Sequence, residues 1–89
     1  MTVVKTHTAV AENSFSGKFP LNAGVARISF TGTSKVQVRL YALADGTTVT
    51  GTLDVKDSIS RFDPVLKGLF DVGVPTGSFV DATVITVEQ

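Results

Sequence analysis

Cysteine and tryptophan are absent from this chain of 89 residues, and histidine occurs only once, at His7. The lack of cysteine excludes disulfides and thiolate metal sites, and one histidine does not make an imidazole cluster. Domains of this size often depend on disulfides, metals or association with other chains for their stability. Of these three supports, association is the one that the composition leaves open. We expect no cofactor and no bound metal.

Charged residues are also scarce, at 18% of the chain, against about 25% in an average soluble domain. Eight Lys and Arg residues balance eight Asp and Glu residues, so the formal net charge is zero. Nucleic-acid binding normally needs a basic excess, because phosphate contacts supply most of the non-specific affinity. We therefore expect no nucleic-acid partner.

Long apolar runs are missing as well. No stretch approaches the roughly 20 apolar residues that a membrane helix needs. The residues that follow Met1 lack the continuous apolar core of a signal peptide. These features predict a chain that is made in the cytoplasm and has no membrane partner.

The abundant residues, Val and Thr, are β-branched and favour strands. Alternation of apolar and polar residues with a period of two predicts a strand with one buried face. Such strands are predicted at residues 25–31, 35–43, 48–55 and 70–74, with a shorter one around Ile59. A last strand is predicted at residues 79–87, and it has apolar residues on both faces. Six or seven short strands separated by turn residues indicate a single all-β domain, a small antiparallel β-sandwich.

Turn signals suggest how these strands are connected. The link Gly32-Thr-Ser34 predicts a hairpin between residues 25–31 and 35–43, and Asp45-Gly46 predicts the next hairpin. Residues 63–70 predict one or two turns of helix, since Asp63 is suited to the N-cap and Pro64 to the first helical position.

The first 20 residues differ in composition from the sandwich predicted for residues 21–89. Residues 2–10 are typical of a strand, whereas residues 12–20 are rich in Ser, Asn, Gly and Lys. Two interpretations stay open. Residues 1–20 form either an extended arm that reaches another subunit or an ordinary first strand paired within the domain.

The residues that catalysis requires are mostly missing. A Ser nucleophile needs a base, usually His, and His7 is the single candidate in a Thr-rich terminal segment. The aspartates near predicted strand ends are more typical of turns and caps than of paired catalytic carboxylates. We expect no catalytic residues and no enzymatic activity.

Three aromatic residues lie outside the predicted core. Phe15 and Phe19 occur in the polar segment, and Tyr41 falls on the polar face of its strand. We predict that these three side chains contact a partner chain. The alternative for Phe15 and Phe19 is that they cover an open end of their own sandwich.

Four segments, which together span about residues 20–87, follow one another in an order that is typical of a known class of proteins. They are Leu21-Asn-Ala-Gly-Val-Ala-Arg-Ile-Ser-Phe-Thr-Gly, Val36-Gln-Val-Arg-Leu-Tyr, Ala44-Asp-Gly-Thr-Thr and Gly77-Ser-Phe-Val-Asp-Ala-Thr-Val-Ile-Thr-Val. A strand ending in Phe-x-Gly, an Asp-Gly-Thr turn and a late Thr-Val-x-Val strand follow in this order. In this order of features the chain resembles the small structural proteins of tailed bacteriophage particles.

The resemblance implies a non-enzymatic virion protein, most specifically a capsid decoration (cement) protein. Such a protein would form a closed homo-oligomer, with a trimer as the expected form, and its arm would bridge shell subunits. Its partners would be copies of itself and the major capsid protein or other virion proteins. Two alternatives remain. One is a component of a phage neck, tail or head fibre, and the other is an immunoglobulin-like module that binds a glycan through its loops.

Overall fold

The computed structural model describes all of residues 1–89 and contains nine strands and no helix. No helix is therefore available to cross a membrane. The strands are β1 (Val3–Ala9), β2 (Ser14–Phe15), β3 (Phe19–Leu21), β4 (Ala26–Thr31), β5 (Val36–Tyr41), β6 (Val49–Val55), β7 (Ile59–Phe62), β8 (Gly68–Val74) and β9 (Thr83–Glu88).

The strands form two antiparallel sheets that enclose one core, which confirms the predicted all-β sandwich. The four-stranded sheet has the order β1-β9-β4-β7, and the five-stranded sheet has the order β2-β8-β5-β6. In the second sheet, β3 pairs with the same edge of β8 as β2 does, further along the strand. The molecule measures 33 × 27 × 17 Å.

The core consists of the inward residues of both sheets. On β4 the predicted alternation is confirmed, because Ala26, Ile28 and Phe30 are buried while Arg27 and Ser29 are only partly covered. Twelve buried apolar residues form one cluster, to which β4, β5, β8 and β9 supply most of the members. Close packing of branched side chains between two sheets accounts for the stability of such a sandwich.

The predicted hairpin between β4 and β5 is wrong, since these strands lie in different sheets. Residues 32–34 cross from one sheet to the other instead of closing a tight turn. The carboxylate of Asp81 accepts hydrogen bonds from the backbone N–H of Thr33 at 2.8 Å and from its hydroxyl at 3.1 Å. The Ser34 hydroxyl in turn accepts from the N–H of Val80 at 2.8 Å. These bonds attach the link to the segment before β9, and they favour a crossover.

The second predicted hairpin is confirmed, because β5 and β6 pair antiparallel around Asp45-Gly46. The Asp45 carboxylate accepts from the N–H groups of Thr47 and Thr48 and, at 2.6 Å, from the Thr48 hydroxyl. The Thr48 hydroxyl and these N–H groups lower the pKa of Asp45 to about 2, because hydrogen bonds to the charged form favour it. A register shift beside Leu40 places a β-bulge near the start of β6.

Residues 1–20 do not extend away from the domain in this structure. β1 pairs with β9 along its length, and β2 and β3 pair with β8. The structure therefore has the second of the two conformations considered for this segment, a terminal strand paired within the sandwich. The two additional short strands, β2 and β3, raise the strand count above the six or seven predicted.

The predicted helix at residues 63–70 is wrong. Residues 63–67 form a loop, and β8 begins at Gly68. The carbonyl of Pro64 accepts a hydrogen bond from the N–H of Gly24 at 2.9 Å, which ties the loop to the segment before β4. The apolar residues of this segment continue into a strand because Gly68, Phe70 and Val72 are buried in the sheet.

Candidate functional site

The three predicted contact residues have different surroundings. Phe15, on β2, is partly buried and stacks over the guanidinium of Arg39, with 3.6 Å between the guanidinium carbon and the ring centre. Tyr41, on β5, is 7% exposed. Phe19, on β3, is 5% exposed, lies in the core cluster and pairs opposite Phe70. Phe15 and Tyr41 thus both lie near the guanidinium of Arg39 on the outer face of the five-stranded sheet, whereas Phe19 packs inside its own sandwich.

A network of charged and aromatic side chains occupies this outer face. Asp71 is 3% exposed and is the one charged residue that the sandwich buries. Arg39 donates two hydrogen bonds to its carboxylate, at 2.9 and 2.7 Å, and the Tyr41 hydroxyl donates a third at 2.7 Å. The bond to Asp71 raises the pKa of Arg39, while burial together with the same carboxylate raises the pKa of Tyr41.

Phe15 and Lys18 pack against the other members of this network. Phe15 lies directly over Gly73, where an added Cβ would stand 2.7 Å from the Phe15 Cα. The ring therefore packs close to the sheet backbone, and it holds the short strand β2 in place. Lys18 adds its ammonium group at 4.9 Å from the centre of the Tyr41 ring. Because every buried side-chain nitrogen and oxygen atom has a hydrogen-bond partner, we assign this network to stabilising the fold.

The other candidate groups are also engaged in local contacts. Nε2 of His7 lies 3.1 Å from the Ser14 hydroxyl, which connects β1 to β2 across the two sheets. Asp45 caps a turn, as predicted, and Asp81 anchors the crossover. The turn or cap role predicted for the aspartates is wrong for Asp71, which is buried within β8 by its pairing with Arg39. The hydrogen bonds to Thr33 lower the pKa of Asp81. No group of three or more His, Asp or Glu side chains converges in a metal-binding arrangement.

The most prominent concave feature is an apolar groove of about 460 Å³ at one end of the sandwich. We call it the corner groove. Its walls come from the end of β5, from Phe62 on β7 and from the β7–β8 loop. It is lined by Leu40, Tyr41, Ala42, Leu43, Thr50, Phe62, Asp63, Pro64, Val65, Leu66, Lys67, Gly68 and Phe70.

The base of the corner groove belongs to the core, whereas its rim is exposed. The rings of Phe62 and Phe70 lie 6.1 Å apart at its base. On the rim, Val65 is 85% exposed, Leu66 77% and Leu43 66%. Exposed aliphatic side chains that cluster around a concavity mark a binding surface more often than scattered ones do.

Sequence reasoning did not identify this groove, although Tyr41, one of the three predicted contacts, lines it. Its signal was the adjacent pair Val65-Leu66 between Pro64 and Lys67. The pair lies within residues 63–70, for which the sequence predicted one or two turns of helix. In the loop of residues 63–67 the pair lies outside the core and is exposed.

The assignment of the corner groove as a binding surface rests on its geometry, because comparisons with known proteins add nothing to it. No family model, no curated protein and no solved structure matches the chain.

Proposed function

We propose that this chain is a non-enzymatic structural protein that joins copies of itself or a larger assembly through the corner groove. The observation that carries the proposal is the exposed aliphatic rim formed by Leu43, Val65 and Leu66 around an apolar base. Removing such an apolar surface from water by covering it with another protein is favourable.

The rim supplies enough apolar surface for useful binding energy. Full burial of one Val or Leu side chain contributes about 1.5–3 kcal/mol. Covering the exposed parts of the three rim side chains would thus contribute roughly 3–6 kcal/mol. Since each 1.4 kcal/mol is about a factor of ten in affinity, loss of one rim side chain should be measurable.

The composition of the groove favours a protein partner over a sugar. Eight of its 13 lining residues are hydrophobic. A glycan site would need a larger number of polar groups placed to bond hydroxyls. The loop around Asp45-Gly46 is occupied by its own hydrogen bonds to Thr47 and Thr48. The immunoglobulin-like glycan module is therefore the weaker of the two proposals.

A capsid decoration role is the specific form of this proposal, and its support is the resemblance carried by residues 20–87. A small sandwich with zero net charge and an apolar corner is suited to packing on a shell. In that role its partners are other copies of the chain and the major capsid protein or other virion proteins. A position in a phage neck, tail or head fibre would use the same surface.

Sedimentation velocity over a range of concentrations tests the proposal. We expect the full-length chain to associate, and we expect Val65→Ser and Leu66→Ser each to weaken association about tenfold. Val10→Ser is the matched control, because Val10 is 71% exposed but lies outside the groove. Association that Val10→Ser weakens as much as Val65→Ser would contradict the assignment of the groove.

A further inference from the structure

The sandwich has four free edges, and three of them are protected against pairing. β7 is only four residues long and includes Arg61. β2 and β3 are shorter still, and β3 contains Pro20, which has no N–H to donate. β1 carries Lys5 next to a register shift and lies against β2 and β3 of the other sheet. Short length, Pro, inserted charge and irregular register are the features by which proteins prevent edge-to-edge pairing.

The fourth edge, β6, has two of these features, a charge at Asp54 and a bulge at its start, but it is neither short nor interrupted by Pro. It has seven residues, no Pro and no basic residue, and it pairs with β5 on one side only. Its one charged side chain, Asp54, accepts a hydrogen bond from Gln37 on β5 at 3.2 Å. The bulge at its start leaves Gly51–Val55 as the regular part, in register with Val36–Leu40. Backbone N–H and C=O groups along the outer side of this segment have no partner within the chain.

We propose that β6 pairs antiparallel with β6 of a second copy of this chain, about a two-fold axis at Leu53. The inference rests on the proposed function and specifies its first partner. Leu53 is the middle residue of the regular segment, so this register uses all five of its residues. The two five-stranded sheets then join into one continuous sheet, which leaves neither β6 edge exposed.

The side chains are complementary in this register. Leu53 meets Leu53 of the second copy, and Thr52 lies opposite Asp54, where its hydroxyl faces a carboxylate. Gly51 lies opposite Val55, so no bulky pair collides.

The same pairing brings together the apolar surfaces of both copies. Leu53 is 43% exposed although it lies on the inner side of its sheet. It lines a shallow depression shared with Leu40, Phe62 and Phe70, three residues that also line the corner groove. Pairing across Leu53 therefore joins the two depressions across the axis and continues the surface to which the proposed function assigns binding.

Disulfide trapping tests the register directly, because the chain has no cysteine of its own. Directly opposite residues of an antiparallel pair have Cα atoms about 4.5–5.5 Å apart, within the range of a disulfide. Diagonal neighbours are about 7–8 Å apart, which is too far. We expect Leu53→Cys to form a covalent dimer on mild oxidation at micromolar concentration.

Two matched variants separate this register from random collision. Thr52→Cys and Asp54→Cys should each remain monomeric when oxidised alone and should form a mixed dimer when oxidised together. Equal crosslinking of all three single variants, or none in Leu53→Cys, would overturn the proposed pairing.

Sedimentation velocity distinguishes failure of this inference from failure of the proposed function. Leu53→Lys places two like charges on the axis and should yield a monomer, with circular dichroism confirming that the fold is kept. If the chain associates, if Val65→Ser weakens that association, and if the cysteine variants do not crosslink, the groove binds in another geometry and only the β6 pairing fails. A closed trimer would overturn the two-fold pairing as well. A chain that stays monomeric at every concentration and does not crosslink would refute both self-association claims.

Discussion

The substitution Arg39→Leu should destabilise the fold more than the double substitution Arg39→Leu/Asp71→Leu does. Arg39 donates two hydrogen bonds to the carboxylate of Asp71, whose side chain is 4% exposed. In Arg39→Leu, that carboxylate stays buried, and only the Tyr41 hydroxyl still donates to it. In Arg39→Leu/Asp71→Leu, no charge is left behind. Comparing the stability of the double variant with that of Arg39→Leu therefore separates the free-energy cost of an unpaired buried charge from that of a lost contact.

The magnitude follows from the burial of the two partners. Breaking a buried ion pair by removing one member costs about 3–5 kcal/mol. The Arg39 side chain is 26% exposed, so water reaches the site, and we expect a value near the lower end, about 3 kcal/mol. The double variant leaves the Tyr41 hydroxyl without its acceptor, which costs about 1–3 kcal/mol. The free energy of unfolding of a domain of this length is roughly 4–13 kcal/mol, so both changes are measurable.

Urea unfolding followed by circular dichroism gives the required free energies, with Asp71→Leu completing a double-mutant cycle. We expect the double variant to be more stable than Arg39→Leu alone. If the costs of the two single substitutions add to that of the double variant, Arg39 and Asp71 do not depend on each other. The explanation of the network as a paired buried charge would then be wrong.

Three further predictions concern the N-terminal segment, the contact at Gly73 and the turn of Asp45. Deleting residues 1–20 should abolish cooperative thermal unfolding, because the deletion removes a whole edge strand and the buried ring of Phe19. Gly73→Ala should cost about 3 kcal/mol or more in urea unfolding, because its Cβ would collide with the backbone oxygen of Ser14 and stand 2.7 Å from atoms of Phe15. Asp45→Ala should make stability less dependent on pH in acid. The pKa of Asp45 is lowered to about 2 in the fold. Its contribution is therefore complete above the unfolded value, about pH 4, and is lost as the pH falls toward 2.

Each of these predictions has a control within the chain. For the deletion, removal of Met1 and Thr2 alone should leave the melting transition intact, since β1 begins at Val3. For Gly73→Ala, the matched change is Gly51→Ala, because an added Cβ at Gly51 meets no atom within 4 Å. For Asp45→Ala, the difference from the unsubstituted chain should be constant between pH 5 and pH 7. A difference that instead grew as the pH fell from 4 to 2 would contradict the assigned role of Asp45.

The sequence predicted the class of the fold because strand periodicity is a local property. Ala26, Ile28 and Phe30 alternate with polar residues, and this pattern assigns their faces wherever the strand lies. The partner of a strand is not local information. The link at residues 32–34 looks like a hairpin turn until Asp81, 48 residues after Thr33, binds the Thr33 N–H and draws the link toward the other sheet.

The candidate site was less accessible to sequence reasoning for a related reason. Phe15, Phe19 and Tyr41 were selected because each aromatic residue stood among polar neighbours. The structure covers each of them with atoms more than ten residues away, such as Phe70 opposite Phe19 and Asp71 beneath Tyr41. The residues that do remain exposed, Val65 and Leu66, lie in the segment for which a short helix was predicted.

The corner groove follows from the crossover between β4 and β5. Because that link changes sheets, β6 extends the five-stranded sheet beside β5, and β7 extends the four-stranded sheet beside β4. Consecutive strands thus end as facing edges of different sheets. On the opposite side of the molecule β1 lies against β2 and β3 and closes the sandwich. No strand does the same between β6 and β7, so Leu53 remains partly exposed on the inner face of its sheet. The side of the molecule that the chain leaves open is also the side with the least protected edge. A second copy of β6, paired as proposed, would cover that edge and continue the exposed apolar surface beside it.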